Sequence, residues 1–369
     1  MKSQRLLSLD ALRGFDMFFI MGLSGLVVSV CKLFPGSVSE VITEQMKHVD
    51  WDGLAHHDTI FPLFLFLAGV SFPFSYASQL AKGASRGKIY VKIFKRAAML
   101  VFLGLIYNGL LNFDFENLRC ASVLARIGLA WMGAALLFIN FGVRTRAIVC
   151  AAILIGYGLL MALVGAPDVQ DALPLSLEGN LVGYVDRLFL PGRLLYSKYG
   201  FDPEGLLSTV PAVVTAMLGM FTGELIRLPK ERMSGEKKTL WMVVGAVALL
   251  AITLLADGFL PINKKLWSST FVCAVGSYSL FMMAIFYYII DVRGWSKWTF
   301  VFRVVGMNSI TIYLAQRMIN FSTTNKFLFS GVAGLFSEDV AAVINNLGYI
   351  VVCWLFLYIL YRKNVFLKV

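Results

Sequence analysis

The chain has 369 residues, of which 58% are apolar and only 15% charged, against roughly 45–50% and 25% in soluble domains. That balance excludes a soluble globular fold and describes a chain whose solvent is mostly lipid. A formal net charge of +11 would suit nucleic acid, but the basic residues sit in short clusters between long apolar segments, which is membrane topology and excludes a nucleic-acid partner.

A membrane-crossing helix needs roughly 20 mostly apolar residues. On that length the sequence predicts an all-α, polytopic membrane bundle of about ten transmembrane helices, folded as a single transmembrane domain over 1–369. The first segment, 8–31, carries Asp10, Arg13 and Asp16 near its start and has no small-residue cleavage site after it, so it reads as a retained helix. A long connection, 32–58, follows and holds all three histidines, His48, His56 and His57, in the run Met46 to Asp58. A neutral imidazole beside carboxylates is a candidate acid–base group, and the residues alone leave this open against a wet loop with incidental histidines. Adjacent histidines with no accompanying cysteine lack zinc-ligand spacing, so no metal is expected.

Asp58-Thr59-Ile60-Phe61-Pro62 opens the second segment, 59–80, with Asp58 as a helix cap or a ligand. The third, 90–112, is entered through Lys92, Lys95 and Arg96, which suit either topogenic charge or phosphate binding. In the fourth, 119–141, Arg126 lies among apolar neighbours and demands a cavity and a carboxylate, Asp58 being the first choice. After segment 145–165 comes a second long connection, 166–204, broken by Pro174, Pro191 and Pro203. It ends in Asp202-Pro203-Glu204-Gly205, where Asp202 and Glu204 suit a helix start or a ligand site equally. The remaining segments are 205–227, with Glu224 placed to snorkel, then 239–258, 267–290, 299–318, with Arg317, and 341–361. The five cysteines show no paired spacing and predict neither a disulfide framework nor a metal site.

Threaded through an even number of spans, 22 of the 33 basic residues fall at one face and 16 of the 22 acidic residues at the other. The positive-inside rule then makes both termini cytoplasmic.

Several blocks together resemble one family. Ser8-Leu9-Asp10-Ala11-Leu12-Arg13-Gly14 is followed by His48-x-x-Trp51-x-Gly53-Leu54-x4-Asp58-x-x-Phe61-Pro62. Further on stand Gly192-Arg193-Leu194-Leu195-Tyr196, Phe201-Asp202-Pro203-Glu204-Gly205, Pro261-x-Asn263-Lys264-x-Leu266-Trp267, Gly306-Met307-Asn308-Ser309-Ile310 and Tyr358-Ile359-Leu360-Tyr361-Arg362-Lys363. In this order they resemble the heparan-α-glucosaminide N-acetyltransferase family along nearly the whole chain. The resemblance implies a membrane enzyme that takes acetyl from cytoplasmic acetyl-CoA and passes it to the amino group of a glucosamine-type sugar on the outer face. His48 matches the family's catalytic histidine.

Given that chemistry, Asp58 or Asp52 would orient the imidazole, and Trp51, Asp52, Asp202, Glu204 and Asn308 are candidates to meet the sugar. Arg13, Lys95 and Arg96 would hold the coenzyme A phosphates, with Arg126 further along the donor's path. The chain departs from the lysosomal members in Gln316, where they carry a histidine, in Asp52 for an asparagine, and in Ser24 near an active-site asparagine position. It also begins directly at the first span, without their luminal N-terminal domain, which resembles the bacterial branch and implies a bacterial inner membrane. A homodimer is compatible with this reading. A transporter of amino sugars or other small solutes is the alternative, since it too needs intramembrane charge; a scaffold would leave the His48, Trp51, Asp52 and Asp58 cluster unexplained.

Reporter fusions after Lys198 and after Lys237 are expected to report opposite faces of the membrane. The same face for both would overturn the ten-span topology.

Overall fold

The computed structural model describes residues 6–367, all-helical apart from loops and isolated bridges. Lys2, Arg5 and Lys368, counted above among the basic residues, lie outside them. Every predicted segment meets a helix. In chain order the helices are α1 (Leu7–Leu33), α2 (Ser37–Gln45), α3 (His56–Ala81), α4 (Arg86–Tyr107), α5 (Val123–Asn140), α6 (Val143–Leu163), α7 (Leu181–Phe189), α8 (Thr209–Arg227), α9 (Gly235–Ala256) and α10 (Ser269–Val292). They are followed by α11 (Lys297–Gly306), α12 (Ser309–Met318), α13 (Phe321–Ala333) and α14 (Glu338–Arg362).

Eight of these are long and apolar enough to cross a membrane among the described residues, and α11 with α12, bent by 54°, form a ninth if taken as one broken span. The predicted third segment coincides with α4, which is not among these spans: Arg86, Lys88, Lys92, Lys95 and Arg96 occupy its first three turns, so it is less apolar than the others. It also stops short of 112, because the chain turns at Gly109 into the short helical turn Leu110–Asn112. Three helices were not foreseen: α2 and α7, inside the two long connections, and α13. At nine residues each, α2 and α7 are too short to announce themselves by apolar length.

Helix α3 lies at the centre, with 67% of its most apolar stretch buried, whereas α9, at 17%, turns most of its apolar surface outward to lipid. Lipid tails are as apolar as leucine, so helices in a bilayer associate through close backbone contact rather than hydrophobic burial. Gly69 of α3 and Gly219 of α8 supply that contact: a Cβ at Gly69 would lie 2.1 Å from the Ala216 carbonyl oxygen, and one at Gly219 2.0 Å from that of Phe66. Small residues likewise let α1 meet α11, where Gly14 faces the Phe302 carbonyl and Gly306 that of Asp10. Arg13, near the start of α1, and Leu367 line one cavity, so both ends of the described chain lie at the same end of the bundle.

Gly219→Ala is expected to lower the thermal midpoint in detergent by an amount that reflects roughly 1–3 kcal/mol of overpacking. Gly156→Ala, with no atom within 4 Å of the new Cβ, is the matched control and should leave the midpoint unchanged. Equal midpoints for the two variants would show that α3 and α8 do not depend on this contact.

Candidate active site

At one end of the bundle the loop between α2 and α3 is pinned at its base, where the Gln45 side-chain oxygen accepts the His56 N–H at 2.9 Å. Helix α3 starts at His56, three residues before the predicted start, so Asp58 is not the cap residue but sits one turn inside. From there one of its oxygens, Oδ2, accepts the backbone N–H groups of Ala55 (3.3 Å) and Val49 (3.2 Å). The other, Oδ1, lies 2.7 Å from His48 Nδ1 and 3.1 Å from Lys264 Nζ. One oxygen thus serves the start of the helix and the other the His48 and Lys264 side chains. A carboxylate oxygen only accepts, so the 2.7 Å contact puts the proton on His48 Nδ1, and Nδ1–H and Lys264 Nζ–H both donate to Oδ1; the 3.1 Å approach of Nζ to Nδ1 is then a contact between two donors. That tautomer leaves His48 Nε2 as the acceptor.

The pocket around this cluster has a volume of about 220 Å³ and is walled by Trp51, Tyr196, Trp267, Glu204, Arg126 and Lys265, among others. Trp51 is fixed by its indole N–H, which donates to the Leu175 carbonyl at 2.9 Å and so ties the histidine loop to the second long connection. The Lys265 ammonium lies over the faces of Tyr196 (4.9 Å) and Trp51 (5.9 Å) and donates to the Asp50 carbonyl. Trp267 is held in the left-handed region at φ 53° while 1% exposed, an unusual backbone for a bulky residue and one that clusters at functional sites. Burial draws the Lys264 ammonium below the ordinary lysine range, with Asp58 pulling the other way.

Arg126 does point into this pocket, but its partner is not Asp58. Its guanidinium donates to Ser208 Oγ and to the Gly205 carbonyl (3.3 Å), lies 4.9 Å over Trp267, and keeps its Nε buried without an acceptor. Asp58 is unavailable because His48 and Lys264 already occupy it.

Asp202 is fully buried beneath the wall and paired through both oxygens with Arg119, at 2.7 and 2.6 Å. Glu204 shares that guanidinium and does line the pocket. Burial works against the charge on Arg119, but the two carboxylates outweigh it and hold the guanidinium above its ordinary range. Asp52 is exposed and outside the pocket, accepting from Asn263 Nδ2 at 3.1 Å. The His57 ring lies tilted, its centroid 4.5 Å from that of His48, and bonds to Ser24 Oγ at 3.1 Å, whereas His56 turns away to Phe19 and the Tyr278 hydroxyl.

The other end of the bundle holds a cavity of about 320 Å³ lined by Arg13, Arg96, Ser71 and Asn308. Asn308 is thus not near the histidines: it sits at the bend between α11 and α12, donating to the Val365 carbonyl at 3.2 Å. Lys95 is exposed and lines neither cavity, while Arg96, one residue on, lies 4.1 Å over Trp131 with its Nε buried and unpartnered. Arg13 pairs with Asp10 at 3.8 Å. This cavity shares Phe64, Leu124, Ile127, Ser309 and Ile310 with an apolar chamber of about 60 Å³ that reaches Phe61. The Phe61 ring then meets Trp267 at 5.1 Å, so one aromatic pair separates the chamber from the histidine pocket.

Sequence reasoning had not singled out Lys264, Lys265 or Trp267. They lie more than 200 residues from the histidine loop, and no local spacing connects the two; their signal was membership of the Pro261 to Trp267 block.

The fold and the two cavities define a multi-pass, all-helical membrane protein with a His-Asp-Lys cluster at one end and a pair of cavity-lining arginines at the other. A family model described as a domain of unknown function, DUF5009, matches residues 5–163. The chain is 28% identical to the heparan-alpha-glucosaminide N-acetyltransferase of Homo sapiens over 375 residues and 26% identical to that of Mus musculus over 374, covering 88% of this chain in each case. It spans only 56% of the length of those relatives. The resemblance to the heparan-α-glucosaminide N-acetyltransferase family thus extends over most of the chain.

Proposed function

We propose that this protein is a transmembrane N-acetyltransferase that takes acetyl from acetyl-CoA at the arginine end and passes it to the amino group of a glucosamine-type sugar at the histidine end. The observation that carries the reading is the 2.7 Å contact between His48 and the buried Asp58 carboxylate, in a pocket divided by one aromatic pair from a chamber that adjoins the arginine cavity. Two N-acetyltransferase relatives support it. The basic asymmetry of the sequence supports a cytoplasmic arginine end.

The arginine cavity fits the donor chemically. Arg13 and Arg96 offer charge for phosphates, and Arg96 holds a buried Nε–H without an acceptor. Ser71 and Asn308 add polar contacts, and the adjoining chamber is lined by apolar and aromatic side chains suited to an extended acyl arm. At the other pocket His48 Nε2 is the free acceptor. It takes the proton as the sugar nitrogen bonds to the thioester carbonyl carbon, the carbon–sulfur bond breaks and the thiolate leaves. The negative charge that develops on the carbonyl oxygen is matched by Arg126, whose buried Nε–H is unspent. Trp51 and Trp267 keep water from the reacting groups, which strengthens each of these polar contacts.

His48→Ala should lower acetyl transfer to glucosamine by ~10²–10⁴-fold while leaving the protein folded and able to bind acetyl-CoA; His56→Ala should retain most activity. The measurement is labelled N-acetylglucosamine formed by detergent-solubilised protein at saturating acetyl-CoA, and near-normal turnover by His48→Ala would remove His48 from the mechanism.

A second measurement separates the two ends. Arg96→Gln should raise the KM for acetyl-CoA about ten- to a hundredfold, the equivalent of a charge-assisted bond worth ~1.5–3 kcal/mol, with little change in the KM for the amine. An equal rise in both would reveal a folding defect instead.

A further inference from the structure

A base must be neutral to accept a proton, and a buried carboxylate beside a histidine works against that, because an opposite charge within hydrogen-bonding distance stabilises the imidazolium. Lys264 answers this conflict. Its ammonium stands 3.1 Å from the same Asp58 oxygen that receives His48, and 3.1 Å from His48 Nδ1 itself.

The placement is built in rather than left to a free side chain. Ile262 accepts the Gly53 N–H at 2.7 Å, Asn263 donates to Asp52 at 3.1 Å, and Lys265 donates to the Asp50 carbonyl, so the loop carrying Lys264 is strapped to the histidine loop on both sides of the lysine. Asn263 also folds its own loop by accepting the Leu266 N–H at 2.9 Å. Asp58, with two donors on each oxygen, is saturated and 1% exposed.

The other charged or titratable groups around His48 are engaged elsewhere. His57 is held by Ser24, Glu204 by Arg119, Arg126 by Ser208 and Gly205, and Lys265 by the Asp50 carbonyl, with the Asp50 side chain also at the pocket.

We propose that Lys264 is a positioning residue: by neutralising Asp58 and facing the imidazole, it keeps His48 uncharged with Nδ1–H fixed on the carboxylate and Nε2 free to accept a proton. The purpose of that neutrality rests on the acetyl-transfer reading; the electrostatic effect does not, and it can be measured without turnover.

The sequence has three histidines, so a His56→Gln/His57→Gln background leaves His48 alone to report. Diethyl pyrocarbonate reacts with neutral imidazole, and its rate against pH gives the midpoint for protonation of His48. Lys264→Met removes a positive neighbour and frees Asp58 for the imidazole; both effects favour the imidazolium, so the midpoint should rise by roughly one unit or more. Lys264→Gln, which keeps a polar group for the strap, should rise in the same sense, and Lys264→Arg should restore the original midpoint. The acid limb of kcat/KM for acetyl transfer should move with it.

A midpoint that stays in place in Lys264→Gln, or moves as far in Lys264→Arg as in Lys264→Gln, would overturn the proposal. If the midpoints shift as expected but no variant and no parent transfers acetyl, the assignment of Lys264 stands and the enzymatic reading falls.

Discussion

Everything at the histidine end depends on one carboxylate that cannot be left alone. Asp58 is 1% exposed at the mouth of the most buried helix, and an unpaired charge there would be far more costly than any contact it could make. Its four donors come from three places in the chain: the loop backbone at Val49 and Ala55, the His48 imidazole, and Lys264 from the connection before α10. Satisfying Asp58 is therefore what brings those segments together and, in the same act, what fixes the imidazole. Removing Asp58 would strand both His48 and Lys264, whereas removing Lys264 leaves the carboxylate to the imidazole and the loop backbone.

What was legible in the sequence follows from how local each signal is. A span is a property of about 20 consecutive residues, and all ten predicted segments meet helices, because apolar length needs no knowledge of neighbours. Partnerships are not local. Arg126 was rightly expected to need a polar cavity, yet its acceptors, Ser208 and Gly205, lie 82 and 79 residues away, and the carboxylate chosen for it was already held by a lysine over 200 residues from the loop. Lys95 and Arg96 are adjacent in sequence, but a helix turns about 100° per residue, so only one of them enters the cavity, and composition does not reveal the phase. Asn308 was a candidate to meet the sugar from its place in a family block; it stands instead at an unforeseen bend of 54° within the predicted span 299–318, in the cavity lined by the arginines. The block that holds Lys264 and Trp267 was visible as a pattern while its role was not, since that role exists only once the loop is strapped across the histidines.

The two cavities divide the labour on charge. At one end, Arg13 and Arg96 are cations whose apolar and aromatic surroundings favour a polyanion that supplies its own hydrogen-bond acceptors. At the other, positive and negative groups alternate around the pocket: His48 and Lys264 meet Asp58, and Arg119 meets Asp202 and Glu204. Such a mixed site suits a neutral or zwitterionic reacting centre, with selectivity arising from which groups would be left unpaired by the wrong partner.

Phe61 and Trp267 meet edge to face at 5.1 Å, with an apolar chamber on the Phe61 side and the polar histidine pocket on the other, and this has an electrical consequence. A membrane potential falls mainly across whatever insulates, so the voltage across the protein is concentrated on the aromatic pair and the apolar chamber beside it. An elementary charge driven through that layer exchanges about 2.3 kcal/mol with the field for every 100 mV, whereas a neutral acetyl group exchanges nothing. On the proposed reading, a donor that leaves its phosphates among the arginines and advances only its acyl end would move no charge through that layer.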